Sequence, residues 1–454
     1  MKTETISDDA LLAAILDSEP VRLMSVGLDT KRAKTAVTYV AGVIGRTTLP
    51  VLNMIHVASN GTTTVTATDL DVTLTARLPD KAFSDGECLI PKSALLTAVK
   101  NAKKSLAIEC KPKLFIDIAT DGFKSTVPGL SVGEFPAMPK WKSQLLVTVS
   151  MLEFKAALRK ILDAISCDES RYVLNGILVE IHPDHVVLVA TDGRRLHMTR
   201  IERLKPDDKW PKRIQDREGV VSQAQSYLDA AIPMYENKPE EIRIGKGEHE
   251  KIMAARHALS NARLELENER ALKQVILPKI AVYQLQNLPA ENGDDTLIIQ
   301  AGETKSSGSY CSFECGSYML TSKQIEGNYP NYRQIIPRED DHKESVLMRA
   351  DELAAAVRHA STVCTEKCNG IKLTLTKNLI TVTGHSPDKG EAKAEVAVNY
   401  KGNELSIAFN WEYLLEGCTA FKGGEMTINL IDELSPGVFV DGETSAVVMP
   451  MRLS

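Results

Sequence analysis

The stretch Val189–Arg200, VATDGRRLHMTR, sets a carboxylate, a glycine, two adjacent arginines and a histidine close together. Asp192 with His197 has the make-up of an acid–base pair, and Arg194-Arg195 that of an anion site. The same residues also suit a connection between strands, because Asp and Gly favour turn backbone geometry at Thr191-Asp192-Gly193. A second constellation is built on sulfur. Cys311-Ser-Phe-Glu-Cys315 and Cys364-Thr-Glu-Lys-Cys368 have a spacing that zinc permits. The first pair falls on an expected strand and the second at an expected helix end in another part of the chain. That favours buried or incidental thiols, so neither a metal nor a cofactor is expected. The chain contains no G-x-x-x-x-G-K-[ST] phosphate loop, no H-E-x-x-H and no G-x-S-x-G elbow. The acid–base reading therefore lacks a supporting constellation.

The elements that would position these residues follow from size and pattern. A chain of 454 residues suits about three domains of roughly 150 residues each. With 43% hydrophobic and 25% charged residues it reads as an ordinary globular protein. No apolar run reaches the roughly 18 residues of a membrane span, and the first residues lack the basic and apolar regions of a secretory signal. The eight cysteines (Cys88, Cys110, Cys167, Cys311, Cys315, Cys364, Cys368 and Cys418) are scattered, as expected for reduced thiols in a cytoplasm. The net charge of −6 argues against nucleic-acid binding by the chain as a whole. Only a segregated basic surface would override it.

A repeat runs through the chain. TVTATDLDVTLTARL (Thr64–Leu78) resembles VVLVATDGRRLHMTRI (Val186–Ile201), and LITVTGHSPDKGEAKAEVAV from Leu379 is a weaker third copy. Each unit closes on an aromatic or methionine before proline: Phe135-Pro136, Tyr329-Pro330 and Met449-Pro450. Asp69 takes the place of Asp192 without a Gly or Arg after it, which makes the acid architectural. Each unit also carries two helical patterns among short alternating strands: 30–44 and 91–104, 150–165 and 277–288, 349–364 and 410–422. Ser150-Met-Leu-Glu153 is a capping box, and Leu158, Ile161, Leu162 and Ile165 form a buried stripe.

Four of the six helices share a basic face. It comprises Lys31, Arg32 and Lys34; Lys92, Lys100, Lys103 and Lys104; Lys155, Arg159 and Lys160; and Arg358 with His359. The helix at Asn410 breaks the pattern with Glu412 and Glu416. The fold class expected is α+β: three similar units of two helices and antiparallel strands, with boundaries at 24–143, 144–338 and 339–454. Open sheet edges need pairing. Edges joined from unit to unit and from chain to chain would close a ring, with basic helices facing its lumen.

RYVLNGILVE, VATDGRRL, NYPNYRQIIP and the terminal VVMPMRL together resemble the bacterial DNA polymerase III beta subunit family, the sliding clamps. GRTTLPVLNMI, ATDLDVTLTARL, EFPAMPKW and FNWEYLLEGCTAF match in the same order, so the likeness covers nearly all of 24–453. The resemblance implies a head-to-tail homodimer that encircles duplex DNA without reading its sequence. It confers processivity on a replicative polymerase and carries out no bond chemistry. It also implies a pocket for short, partly apolar peptides of the polymerase, the clamp loader and other partners. Its residues here would be Leu174, Thr191, Gly193, Arg194, Arg195, Leu196, Pro330, Ile335, Tyr413, Val447, Met449, Pro450, Met451 and Arg452. Arg46 and Tyr172 match DNA-contacting positions of the family, and Lys100, Lys103, Lys155 and Arg159 on the basic helices join them as candidates. Thr362 and Val363 would lie at the dimer contact. They are less bulky than the aliphatic pair common in the family, which implies a weaker dimer.

Some residues depart from the family pattern. Arg194 stands where His is frequent, Val173 where Tyr is common and Gln334 where Arg is common. Asp168 places an acid where relatives offer polar DNA contacts. Residues 1–23 read as an additional capped helix, or Met24 as a second start. Residues 203–274 read as an insertion with helices at 222–235 and 246–274, either a self-packed decoration or a docking arm. These additions motivate an alternative, a clamp-fold decoy that binds clamp-binding peptides without being loaded on DNA.

Overall fold

Both helices of each sequence repeat follow closely on the end of a strand, and the first has the same form in all three. Thr30–Val40, Met151–Ile161 and Ala350–Ala360 each span 11 residues and close on a 3-residue 3-10 turn, at Ala41–Val43, Leu162–Ala164 and Ser361–Val363. The second helices, Lys92–Asn101, Lys279–Gln286 and Trp411–Thr419, are shorter. This computed structural model describes residues 24–80, 82–137, 141–182, 184–205, 273–290, 295–304, 308–337 and 342–452, with isolated positions between 219 and 255. The helix expected within 1–23 falls outside these residues, as does nearly all of the one expected at 246–274; of the one expected at 222–235, the described positions 222, 223, 225–227 and 229 are helical.

Local chemistry sets the helix starts. The Ser150 hydroxyl accepts from the Glu153 N–H at 3.1 Å, the contact that the capping box requires. Asp29 caps Arg32 at 2.9 Å, and Asn410 caps Glu412 at 2.9 Å. Two expected boundaries need correction. Gln274 and Leu277 belong to the strand Lys273–Pro278, because that strand pairs along its whole length with Gly176–Ile181. Sheet pairing wins there over the helical spacing of the apolar residues.

By packing, the chain divides into two units. One comprises residues up to Leu146 with Ile280–Gln324, and the other Val147–Lys279 with Ile325 onward. The middle repeat contributes to both. In the first unit, an antiparallel sheet runs in the order Ala82–Ser84, Ser25–Leu28, Leu106–Cys110, Phe115–Thr120, Phe123–Pro128. A second sheet has the order Lys142–Ser150, Thr296–Glu303, Ser309–Cys315, Tyr318–Lys323, Val72–Leu78, Thr63–Thr68, Met54–Ser59, Gly86–Pro91.

The second unit repeats this plan. Its larger sheet has the order Lys273–Pro278, Gly176–Ile181, His185–Thr191, Arg195–Glu202, Thr444–Val448, Gly437–Asp441, Glu425–Leu430, Glu344–Arg349. Its smaller sheet has the order Gly390–Ala397, Leu379–Ser386, Gly370–Thr376, Leu405–Asn410. In both units the last strand of one repeat pairs with the strand that follows Ala-Thr-Asp in the repeat before it. Tyr318–Lys323 lies on Val72–Leu78, and Thr444–Val448 lies on Arg195–Glu202. The α+β class expected from the alternating patterns is the class observed.

Candidate functional site

The Ala-Thr-Asp turn is one device used twice. The Thr191 hydroxyl donates to the Arg195 carbonyl at 2.6 Å and accepts from the Gly193 N–H at 3.0 Å. Asp192 Oδ1 accepts from the N–H groups of Arg194 and Arg195 at 2.8 and 3.0 Å. In the first repeat, the Thr68 hydroxyl donates to the Val72 carbonyl and accepts from the Leu70 N–H, at 3.0 and 3.1 Å. Asp69 Oδ1 accepts from Asp71 and Val72, at 3.0 and 2.7 Å. Asp192 therefore performs turn duty, as the repeat implied. His197 is fully buried, and its Nδ1 lies 3.0 Å from the Lys160 carbonyl, to which it donates. Burial pushes its imidazole down to about 4, so at neutral pH the ring is uncharged.

This turn forms one wall of a cleft of about 180 Å³, measured with the solvent-open space in its mouth. Thr191, Gly193, Arg194, Arg195, Leu196, Ile335, Val447 and Met449 line it. The facing wall exists because Thr444–Val448 pairs antiparallel with Arg195–Glu202, placing Val447 opposite Leu196. The Met449 N–H then donates to the Arg194 carbonyl at 3.0 Å. Below lies an apolar cluster that includes Leu174, Leu178, Val189, Leu196, Tyr332 and Val447. An apolar floor with a few polar groups at the rim suits a short peptide with aliphatic anchors.

The two arginines do different work. Arg195 lies 4.5 Å above the Tyr413 ring, with its Nε 3.2 Å from Asp192 Oδ2 and its Nη1 in contact with Glu416. Its charge is thereby used inside the protein. Arg194 is exposed and reaches the Tyr413 hydroxyl. Pro330 is exposed beside buried Tyr329. Beyond Met449, Pro450 bridges to Phe409, the Met451 N–H donates to the Ala408 carbonyl at 2.7 Å, and Arg452 is exposed.

Three contacts were not visible in the sequence. Arg171 Nη1 donates to the Asp192 carbonyl at 3.1 Å, and Glu416 meets Arg195. Glu180, fully buried, accepts from the Tyr332 hydroxyl at 2.7 Å, from Arg333 Nη1 and Nη2 at 3.0 and 2.5 Å, and from Gln274 Nε2 at 2.9 Å. Burial raises the Glu180 carboxyl, but bonds from His182, Arg333 and Tyr332 outweigh it and bring it down to about 2. A glutamate in an otherwise apolar strand is the one sequence signal that pointed there.

Of the DNA-contact candidates, Arg46, Lys100 and Lys103 are exposed in the first unit, and Arg159 and Tyr172 in the second; Lys155 is half-buried. Two lysines counted on the basic faces are engaged within the protein. Lys92 Nζ donates to the Ile44 carbonyl at 2.7 Å, and Lys160 Nζ to the Thr444 hydroxyl at 2.9 Å. Asp168 caps its own turn, accepting from the Ser170 N–H at 3.0 Å. Thr362 is exposed and Val363 half-buried, in the turn Ser361–Val363 that packs against Gly390–Ala397. None of the eight cysteines forms a disulfide, and no group of ligands that could hold a metal occurs among the described residues.

Comparison with known proteins gives consistent results. The family model described as DNA polymerase III beta subunit, C-terminal domain, matches residues 333–452, and that for the central domain matches 148–221. The chain is 27% identical over 423 residues to the beta sliding clamp of Pseudomonas aeruginosa, covering 91% of this chain and 96% of that one. It is 24% identical over 417 residues to the beta sliding clamp of Escherichia coli K12, covering 90% and 94%. A crystal structure of the DNA polymerase III subunit beta from Pseudomonas aeruginosa aligns with a TM-score of 0.75 at 23% identity, covering 95% of this chain and all of that one. A sliding clamp from the same organism, bound to griselimycin, aligns equally well, with a TM-score of 0.75.

Proposed function

The chain belongs to the DNA polymerase III beta subunit family, and from that premise we infer that it is a DNA sliding clamp, a non-catalytic subunit that tethers a replicative polymerase to its template. The observation that carries the reading is the cleft, where the Thr191–Leu196 turn meets the Val447–Met449 strand end over an apolar floor. Short apolar motifs of a polymerase, a clamp loader and other replication proteins are its ligands. Met449, exposed and flexible at the rim, adapts to several of them.

A clamp holds DNA by topology, so its contacts with phosphate need only be weak and salt-dependent, which permits sliding. Arg46, Lys100, Lys103, Lys155, Arg159 and Tyr172 are the proposed contacts. The protein acts as a head-to-tail homodimer of three-domain protomers, divided at 24–143, 144–338 and 339–454. Two open edges support this. Phe123–Pro128 ends the smaller sheet of the first unit, with Phe123 exposed, and Gly390–Ala397 ends that of the second. Pairing these edges between two copies closes a ring and removes both liabilities. Thr362 and Val363 pack against the second edge. No helix among the described residues is long and apolar enough to cross a membrane, and the site of action is the bacterial cytoplasm.

Titration of a fluorescein-labelled peptide carrying leucine anchors tests the cleft. Wild type binds and saturates, and Met449→Glu weakens binding. Equal binding by both proteins contradicts the placement of the site.

A further inference from the structure

The strand Gly176–Ile181 is buried at every position, yet it carries Glu180. A charge in such a strand is tolerated only when donors enclose it. Tyr332, Arg333, Gln274 and His182 do so, and the first two lie in the turn Tyr332–Gln334 that immediately precedes Ile335. Among the described residues, the backbone bonds of this turn are local. The Ile335 N–H donates to the Tyr332 carbonyl and the Gln334 N–H to that of Asn331, at 3.0 and 3.3 Å. Beyond the packing of Tyr332 and Ile336 in the apolar cluster, the side-chain bonds to Glu180 tie down the turn that presents Ile335. The third donor, Gln274, stands at the start of the strand Lys273–Pro278, on which the chain returns from its additional segment.

We infer that Glu180 is a positioning residue of the cleft: it sets the affinity for a peptide it does not touch, by holding the turn that presents Ile335. This rests on the peptide-binding reading above. The carboxylate also joins the root of the additional segment to the cleft, since Gln274 and Arg333 share Oε1.

The test uses the full chain and the leucine-anchored fluorescent peptide. Glu180→Gln is nearly isosteric but sets an amide NH₂ against donors. It is expected to weaken binding about tenfold, the scale of a lost charge-assisted hydrogen bond, and to shift the Ile335 methyl signals in NMR spectra. Arg333→Lys keeps the charge, loses the two-nitrogen contact and moves both readouts the same way. Glu344→Gln is the control for stability alone. That carboxylate accepts from Tyr400 at 2.6 Å and Asn403 at 3.3 Å in the same unit, and it does not line the cleft. It is expected to lower thermal stability and leave affinity unchanged. The inference is overturned if folded Glu180→Gln and Arg333→Lys bind like wild type, or if Glu344→Gln weakens binding equally. Failure of wild type to bind the peptide at all would instead remove the reading on which the inference rests.

Discussion

Leu70 and Gly193 hold the same place in two copies of one turn, with φ of 84° and 85°. The left-handed backbone costs a non-glycine residue about 1–2 kcal/mol, and Gly193 avoids that cost where the chain approaches Arg171. A Cβ at 193 would lie 2.9 Å from Arg171 Nη1. Gly193→Ala is therefore expected to lower the melting temperature and displace Arg171, whereas Leu70→Gly leaves stability unchanged or raises it by up to about 1 kcal/mol. Equal losses in thermal denaturation would show that the two turns are not equivalent.

The adjacent arginines should separate cleanly. Arg195→Ala strands Asp192 and Glu416 and is expected to cost about 2–4 kcal/mol of stability together with peptide binding. Arg194→Ala removes an exposed charge, so stability stays within about 0.5 kcal/mol while peptide affinity and its salt dependence change. Denaturant unfolding beside anisotropy titration makes the comparison. A large stability loss in Arg194→Ala would contradict this division of labour.

Acid should destabilise the second unit in two stages. His197 sits at about 4 in the fold, below an ordinary imidazole, so its contribution is present above about pH 6.5 and lost as pH falls toward 4. Glu180 sits at about 2, below an ordinary carboxylate, so its contribution is lost as pH falls from about 4.5 toward 2. His197→Asn retains a donor to the Lys160 carbonyl without titrating, and it is expected to flatten the upper stage only. Stability measured across pH would refute this if the upper stage persisted in that variant.

The dimer is expected to be sensitive at small contacts. Thr362→Glu introduces an unpaired acid beside the edge Gly390–Ala397, and Phe123→Glu does so on the other edge. Either should shift sedimentation toward monomer by at least about tenfold in dissociation constant, since burying an unpaired charge costs more than 1.4 kcal/mol. Unchanged dimers in both variants would place the interface elsewhere.

Much of the site was legible where the signal was local. The Thr191–Arg195 turn and the Ser150 cap follow from residue type and spacing alone. The repeat let Asp69 identify the role of Asp192. What could not be read depended on register between distant strands. Glu180 meets Arg333 because Gly176–Ile181 and the turn after Tyr329 converge, and no spacing encodes that. Lys92 and Lys160 look solvated by charge pattern, yet a carbonyl and a threonine hydroxyl lie within their reach. Leu277 fits a helical stripe, but its pairing with Ile177 makes it a strand residue.

The most direct test of the clamp reading is topological. The protein is placed on a nicked circular plasmid by a bacterial clamp loader and passed through gel filtration in high salt. It should travel with the circle and be lost once the plasmid is cut to a linear form. Equal retention on both forms, or no retention on the circle, would contradict a ring that holds DNA by encircling it.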